Sequence, residues 1–233
     1  MLLAIDTSTK YGGVATASEG HMVHSRTWLS RHNHTIELMP AIDDVLRASG
    51  VVANDLDGIA VALGPGGFSS LRVGLAVAKG LALATGKPLV GTKTLEMEAY
   101  PYLERGMLVC PMLPTGRGQV AWAVFIRGNG PPVRTVSERL GTIEEIVATV
   151  ATKTLFCGEG APSLAATLHE RLADLAQVVA AFSPLTRLQG LVALAAMRLA
   201  RGERDRMESL EPFYLRPPSI GRMNTLQLPK EET

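Results

Sequence analysis

Asp6-Thr7-Ser8-Thr9 places a carboxylate and three hydroxyls directly after a short apolar run. Ser8 and Thr9 can offer hydroxyl and backbone hydrogen bonds to an anion, although a side chain at Ser8 limits close backbone approach. The same residues also make an ordinary polar hairpin cap. A second candidate is Gly158-Glu159-Gly160, between an apolar run and a helical pattern, where an anion or adenosine could meet a helix start. Gly-x-Gly turns at such junctions also arise for steric reasons, and Gly158 and Gly160 fit either account. His32 and His34 could hold zinc with a third ligand. No Cys, Asp or third His lies close by, which favours solvated histidines. Gly66-Gly67-Phe68-Ser69 lacks the serine between glycines of a nucleophile elbow. Cys110 and Cys157 sit in separate apolar segments with no metal or redox spacing, so buried thiols are expected. No catalytic or metal-ligating residue is assigned.

The elements that must position these residues read as two similar halves. Short strands at 2–6, 13–17 and 22–28 precede a helix at 34–49, in which Leu38, Ile42, Val45 and Leu46 form the apolar stripe. Pro40 inside it predicts a kink or a late start, and Ile36, Met39 and Pro40 add apolar surface off that stripe. A strand at 56–63, a helix to Thr85 and a strand at 88–91 close the first half. Strands at 108–113, 119–127 and 133–136, a helix at 142–151, a strand at 154–157, a helix at 162–173, a strand at 177–181 and a helix at 187–201 form the second. The boundary is placed near Arg105 and Gly106, with 217 onward extended and 228–233 frayed.

The helix after Gly64-Pro65-Gly66-Gly67 is unusual: between Leu71 and Thr85 its only charged residues are Arg72 and Lys79. Such a helix must be covered on nearly all sides. Ser69 or Ser70 is expected to cap it. Gly74, Ala78 and Ala82, four residues apart, would admit a second helix, so a charged bulky residue at Gly74 or Ala78 is expected to abolish assembly without unfolding. The expected docking surface is Ile36, Met39, Pro40, Ser70, Arg72, Gly74, Ala78 and Lys79; burial within one chain is the alternative.

Composition narrows the partners. Lys plus Arg number 23 against 22 for Asp plus Glu, a formal net charge of +1, so no global positive field exists to hold a phosphate backbone. Hydrophobic residues make up 46%, enough for a sizeable core. The start of the chain lacks the pattern of a signal peptide, and cytoplasmic localisation with no membrane contact is expected.

Gly64-Pro65-Gly66-Gly67-Phe68-Ser69-Ser70-Leu71-Arg72-Val73-Gly74, together with Leu2-Leu3-Ala4-Ile5-Asp6-Thr7-Ser8-Thr9 and Pro212-Phe213-Tyr214-Leu215-Arg216-Pro217, resembles the TsaB (YeaZ) family. That resemblance implies an α/β chain of two actin-like, Hsp70-like, sugar-kinase-like (ASKHA) lobes, residues 1–105 and 106–233, each a mixed sheet flanked by helices. In ATP-using members of the architecture the first hairpin turn cradles phosphates and its aspartate organises a metal, which would make Asp6, Ser8, Thr9, Gly158 and Gly160 a vestigial nucleotide site. The catalytic relative TsaD carries a His-Leu-Glu-Gly-His metal motif where this chain reads Thr94-Leu95-Glu96-Met97-Glu98. A threonine hydroxyl is a poor substitute for imidazole. Pro114-Thr115-Gly116-Arg117 also departs from the family's Asp-Ala-Arg segment.

What the resemblance implies for function is a non-catalytic scaffold or activator of a TsaD-type enzyme, which forms N6-threonylcarbamoyladenosine at position 37 of tRNAs reading ANN codons. A TsaE-type ATPase would join through the complex, tRNA would be met only indirectly, and the chain alone would form a homodimer. No cofactor is required, with weak nucleotide binding left open. The rival reading is an ATP-binding phosphotransferase or nucleotide hydrolase using Asp6 and the glycine turns. A metallopeptidase or glycoprotease ranks last because the histidine pair is missing.

Overall fold

A computed structural model describes residues 1–31, 33–103, 106–116 and 118–216. The first half contains β1 (Leu2–Asp6), β2 (Tyr11–Ser18), β3 (His21–Leu29), α1 (His34–Ala48), β4 (Gly58–Gly64), α2 (Phe68–Thr85) and β5 (Leu89–Lys93). Its strands lie in the order β3-β2-β1-β4-β5, with β1 antiparallel to β2 and parallel to β4. After α3 (Thr94–Ala99) the pattern repeats as β6 (Leu108–Gly116), β7 (Gln119–Ile126), β8 (Val133–Gly141), α4 (Ile143–Thr149), β9 (Thr154–Cys157), α5 (Ala161–Leu172) and β10 (Ala176–Val178). The second sheet, β8-β7-β6-β9-β10, has the same order as the first. A last helix, α6 (Pro184–Ala200), follows.

Strand alternation sorts these elements into layers, because successive side chains point to opposite faces. Leu3 and Ile5 of β1 join Leu38, Ile42, Leu75 and Ala78 beneath α1 and α2. Leu2 and Ala4 face the other way, into a cluster with Leu188, Leu191 and Ala195 of α6. That inner face is rich in alanine, with Ala15, Ala17, Ala60 and Ala62, so α6 can lie close to it. The second sheet likewise packs Trp122 and Phe156 toward α5, and Ala121, Ala123 and Phe125 toward Leu95 and Ala99 of α3. Helices α3 and α6 therefore share the space between the sheets.

The closest approach in that middle layer is backbone on backbone. A methyl group added at Gly190 of α6 would overlap the Met97 carbonyl of α3. Gly190→Ala gains up to ~1 kcal/mol of helix propensity, but the overlap involves no flexible side chain and costs roughly 1–3 kcal/mol or more. Its urea midpoint is expected to fall. Gly80→Ala, with nothing within 4 Å of the new methyl, should raise the midpoint by ~0.5–1 kcal/mol equivalent. The reverse order would mean that α3 and α6 separate without cost.

Several local expectations need correcting. Helix α2 starts at Phe68 with Gly67 as N-cap and no side-chain cap; the Ser70 hydroxyl instead donates to the Gly67 carbonyl at 3.0 Å. Helix α1 runs without a late start from His34 through Pro40. The carbonyl that loses its helical partner to the proline belongs to Ile36, an exposed residue. Of the expected boundary residues, Arg105 lies outside the described residues, as do 217–233. Although it follows the second sheet, α6 packs on the first, and the chain beyond it stays there. Asp205 N–H donates to the Leu89 carbonyl at 2.8 Å and Phe213 N–H to Leu63 at 2.7 Å. Residues 184–213, expected with the second lobe, thus lie spatially with the first.

Candidate functional site

Where β1 ends, Asp6 is buried and its Oδ1 accepts from the Ser8 amide at 2.8 Å and the Ser8 hydroxyl at 2.6 Å. A short turn closed on an aspartate in this way is the usual Asx geometry. Oδ2 accepts from Arg187 Nε at 2.7 Å. Arg187, in the first turn of α6, is fully buried, at 0% exposure. Its Nη2 donates to Thr9 Oγ1 at 3.1 Å and to the Tyr11 carbonyl at 3.0 Å. Its Nη1 donates to Glu98 Oε1 at 3.3 Å and lies 3.8 Å from Glu159 Oε2. Lys10 approaches the other oxygen of Glu159 at 3.6 Å.

Both lobes therefore send carboxylates to one guanidinium. Burial pushes the Glu98 carboxyl up to about 7, outweighing the attraction of Arg187, with Asp6 and Glu159 adding to the rise. A buried acid with two acidic neighbours resists ionising until the cation beside it compensates.

The residues expected to cradle phosphate are committed to internal partners. Ser8 donates to Asp6, and Thr9 Oγ1 accepts from Arg187 and from the Tyr11 amide at 3.2 Å. Gly67 N–H donates to the Ser8 carbonyl at 2.8 Å, and a methyl at Gly66 would overlap that carbonyl. The glycine turn is thus needed for close packing on the β1–β2 turn. Gly158 adopts φ +89°, and a methyl there would lie 2.8 Å from the Met112 carbonyl, to which Gly160 N–H donates at 2.8 Å. Above these turns a cleft of about 1150 Å³ opens between the lobes, with Ser8, Gly66 and Ser70 on one wall and Leu113, Thr115 and Glu159 on the other.

His34 is buried, with Nε2 3.0 Å from the Thr9 carbonyl, and His32 lies outside the described residues. Among the described residues no group of three His, Cys, Asp or Glu side chains could hold a metal ion. Both cysteines are buried, and burial pushes both thiols up.

The outer face differs. Helices α1 and α2 lie beside one another on the first sheet with their far sides bare: Leu83 is 75% exposed, Ile36 73% and Met39 48%, and Pro40 and Arg72 are exposed too. Lys79 and Ser70 are half-buried. By length and composition α2 could also cross a membrane, but its Leu71, Leu75 and Ala82 are packed inside this chain. Gly74 and Ala78 are buried as well, and a side chain at Gly74 would collide with Thr7. The small-residue stripe is filled by the chain's own sheet, so a bulky charge at Gly74 or Ala78 would damage the core. The exposed stripe of α2 runs instead through Arg72, Ala76, Gly80 and Leu83.

The quoted motifs meet in space at the start of α2. Phe68 and Tyr214 rings lie 4.9 Å apart, the Arg72 guanidinium stands 3.9 Å over Phe68, and its Nε donates to the Tyr214 hydroxyl at 3.3 Å. A second hollow of about 440 Å³ beside them is lined by Arg72, Lys79, Leu210 and Tyr214.

The convergence of Arg187, Glu98 and Glu159 was missed in the sequence. The one available signal was register: Arg187 lies on the same helical face as Leu191 and Leu194, where an apolar residue is expected.

A family model described as tRNA N6-adenosine threonylcarbamoyltransferase, TsaD, matches residues 27–220. The tRNA threonylcarbamoyladenosine biosynthesis protein TsaB of Escherichia coli is 34% identical over 128 residues, 54% of this chain and 55% of that protein. The chain spans about half the length of the curated relatives it matches. The solved structure of YeaZ from Pseudomonas aeruginosa superposes with a TM-score of 0.76 at 28% identity, covering 92% of this chain and 99% of that one. Component A of the (R)-2-hydroxyglutaryl-CoA dehydratase of Acidaminococcus fermentans, at 12% identity and TM-score 0.51 over 86% and 98%, shares the fold alone. The two repeated sheets with their flanking helices are the two-lobed actin-like (ASKHA) fold.

Proposed function

The chain belongs to the TsaB (YeaZ) branch of the TsaD family, and from that membership we propose that it serves tRNA threonylcarbamoyladenosine formation as a non-catalytic scaffold docking on a TsaD-type subunit. The observation that carries the docking is the bare outer side of α1 and α2, where Ile36, Met39 and Leu83 expose apolar area beside Arg72. Apolar side chains next to an arginine are the composition that interface cores favour. A twofold copy of the same patch would give a homodimer when the partner is absent. A TsaE-type ATPase would bind through the complex, in the cytoplasm. The tRNAs reading ANN codons would be gripped by the partners, since this chain has almost no net charge.

The internal commitment of Asp6, Ser8 and Thr9 supports a role without turnover, at the expense of the phosphotransferase reading. No cofactor is invoked.

Leu83→Glu and Met39→Glu test the surface. Each should leave stability within about 0.5 kcal/mol, while weakening both self-association and binding to the TsaD-type subunit at least ~30-fold, the size of a central hot spot. Light scattering and titration of the purified chains read both. Unchanged affinity in both variants would move the interface elsewhere, and ATP turnover by the chain alone would remove the scaffold reading.

A further inference from the structure

The guanidinium of Arg187 donates four hydrogen bonds and makes a fifth, longer ionic contact. Nε carries one, toward Asp6 at 2.7 Å. Nη2 carries two, toward Thr9 at 3.1 Å and Tyr11 at 3.0 Å. Nη1 donates to Glu98 at 3.3 Å and stands 3.8 Å from Glu159 Oε2, an ionic contact beyond hydrogen-bond length. A planar fork with five donors is the only protein side chain that can satisfy this set, since lysine has three donors and no plane. The acceptors come from the first sheet's opening turn, from α3 between the sheets and from the β9–α5 loop of the second lobe. All sit at separations suited to a flat cation a few ångströms wide, and no three of the acidic groups stand where a metal ion could be held.

We propose that Arg187 is a positioning residue, a built-in cation that pins the two lobes in one closed arrangement, and that the site around it is shaped for a guanidinium and excludes a divalent metal. Arg187 is fully buried behind Glu159, which lines the cleft, so the space beside Asp6 is filled by the chain's own side chain. A metal-bound phosphate therefore finds its cation position taken, and a metal-free one meets the carboxylates. This goes beyond the docking reading and does not depend on it: the pin concerns the space between the lobes, whereas docking concerns the outer helices.

The test is chemical rescue in the full-length chain. Arg187→Ala is heated in ethylguanidinium, with ethylammonium and Mn²⁺ as comparison cations at matched ionic strength. Ethylguanidinium should raise its Tm saturably, by about 3–6 °C at ten times the dissociation constant, while the unaltered chain shows no such rise. Ethylammonium and Mn²⁺ should do nothing for either. Stabilisation by Mn²⁺, lost on adding Asp6→Asn, would overturn the proposal, as would a folded variant that ignores ethylguanidinium. Should Arg187→Ala fail to fold, arginine-selective ¹⁵N spectra of the unaltered chain decide. One set of slowly exchanging Nε and separate Nη signals is expected; rapidly exchanging, averaged Nη signals would show an unpinned side chain and end the idea. Loss of partner binding with rescue intact would count against docking alone.

Discussion

Arg187→Met should lower the stability of the chain by roughly 3–5 kcal/mol at pH 7.5, the range for removing one partner of a buried ion pair. Methionine fills much of the same volume, so the cost is electrical rather than steric. Asp6, at 1% exposure, loses its cation. The half-buried Tyr11 carbonyl loses a donor, whereas Thr9 Oγ1 keeps the Tyr11 amide, so these two add little to the cost. The charge on Glu98 can be relieved by taking up a proton, because its carboxyl already titrates near 7 beside the cation. Asp6 is held by the Ser8 amide and hydroxyl as well, so adding Asp6→Asn to Arg187→Met should recover part of the loss. That non-additivity separates an uncompensated charge from a packing defect. Urea denaturation of the two single variants and the double variant measures it. A single-variant loss under 1 kcal/mol would mean that water reaches the site and that the pair contributes little.

The same region shows where sequence reading succeeds and where it stops. Strands such as Leu2–Asp6 and Thr154–Cys157 were legible because apolar runs end at turn residues. The repeat of three strands, helix, strand, helix, strand was legible for the same reason. Partners in space were not. Asp6 and Arg187 are 181 positions apart, and Arg187 and Glu98 are 89 apart, so nothing local marks them as a cluster. The spacing of Gly74, Ala78 and Ala82 correctly signals close approach, but spacing cannot say what approaches, and Thr7 of the same chain takes the place expected for another helix. In the 64–67 turn, Gly66 and Gly67 are explained by contact with Ser8, and Gly64 by contact with Phe213 and Leu71. Conversely, exposure of Ile36 and Met39 follows from the register of α1, because Leu38, Ile42 and Val45 fix the buried side.

These placements divide the molecule by role. Between the lobes several polar groups are paired internally: Ser8 with Asp6, Thr9 with Arg187, Gly160 with Met112. Among the described residues, the outer surfaces of α1 and α2 leave Ile36, Met39 and Leu83 exposed.

Glu98→Gln should remove a pH dependence that the unaltered chain shows. The folded-state value of about 7 lies above the ordinary 4.5 because burial penalises the charged form, against the pull of Arg187. The folded chain therefore holds this proton more tightly than the unfolded chain does. Stability from this group is fully present below pH 4.5 and is lost as pH rises through 7, which amounts to about 3 kcal/mol across that window. Glutamine imitates the protonated, neutral acid and keeps an oxygen for Arg187 Nη1, so the variant should match the unaltered chain near pH 5 and exceed it at pH 8. The groups facing Glu98 are Arg187, Asp6, Glu159, Tyr102 and Cys157, whose thiol lies 3.6 Å from the Glu98 carbonyl. Burial pushes the Cys157 thiol up, far above the window. Thermal unfolding between pH 5 and 8 for both chains reads the slope. Parallel curves would mean that Glu98 is ionised throughout, and that the attraction of Arg187 overcomes burial after all.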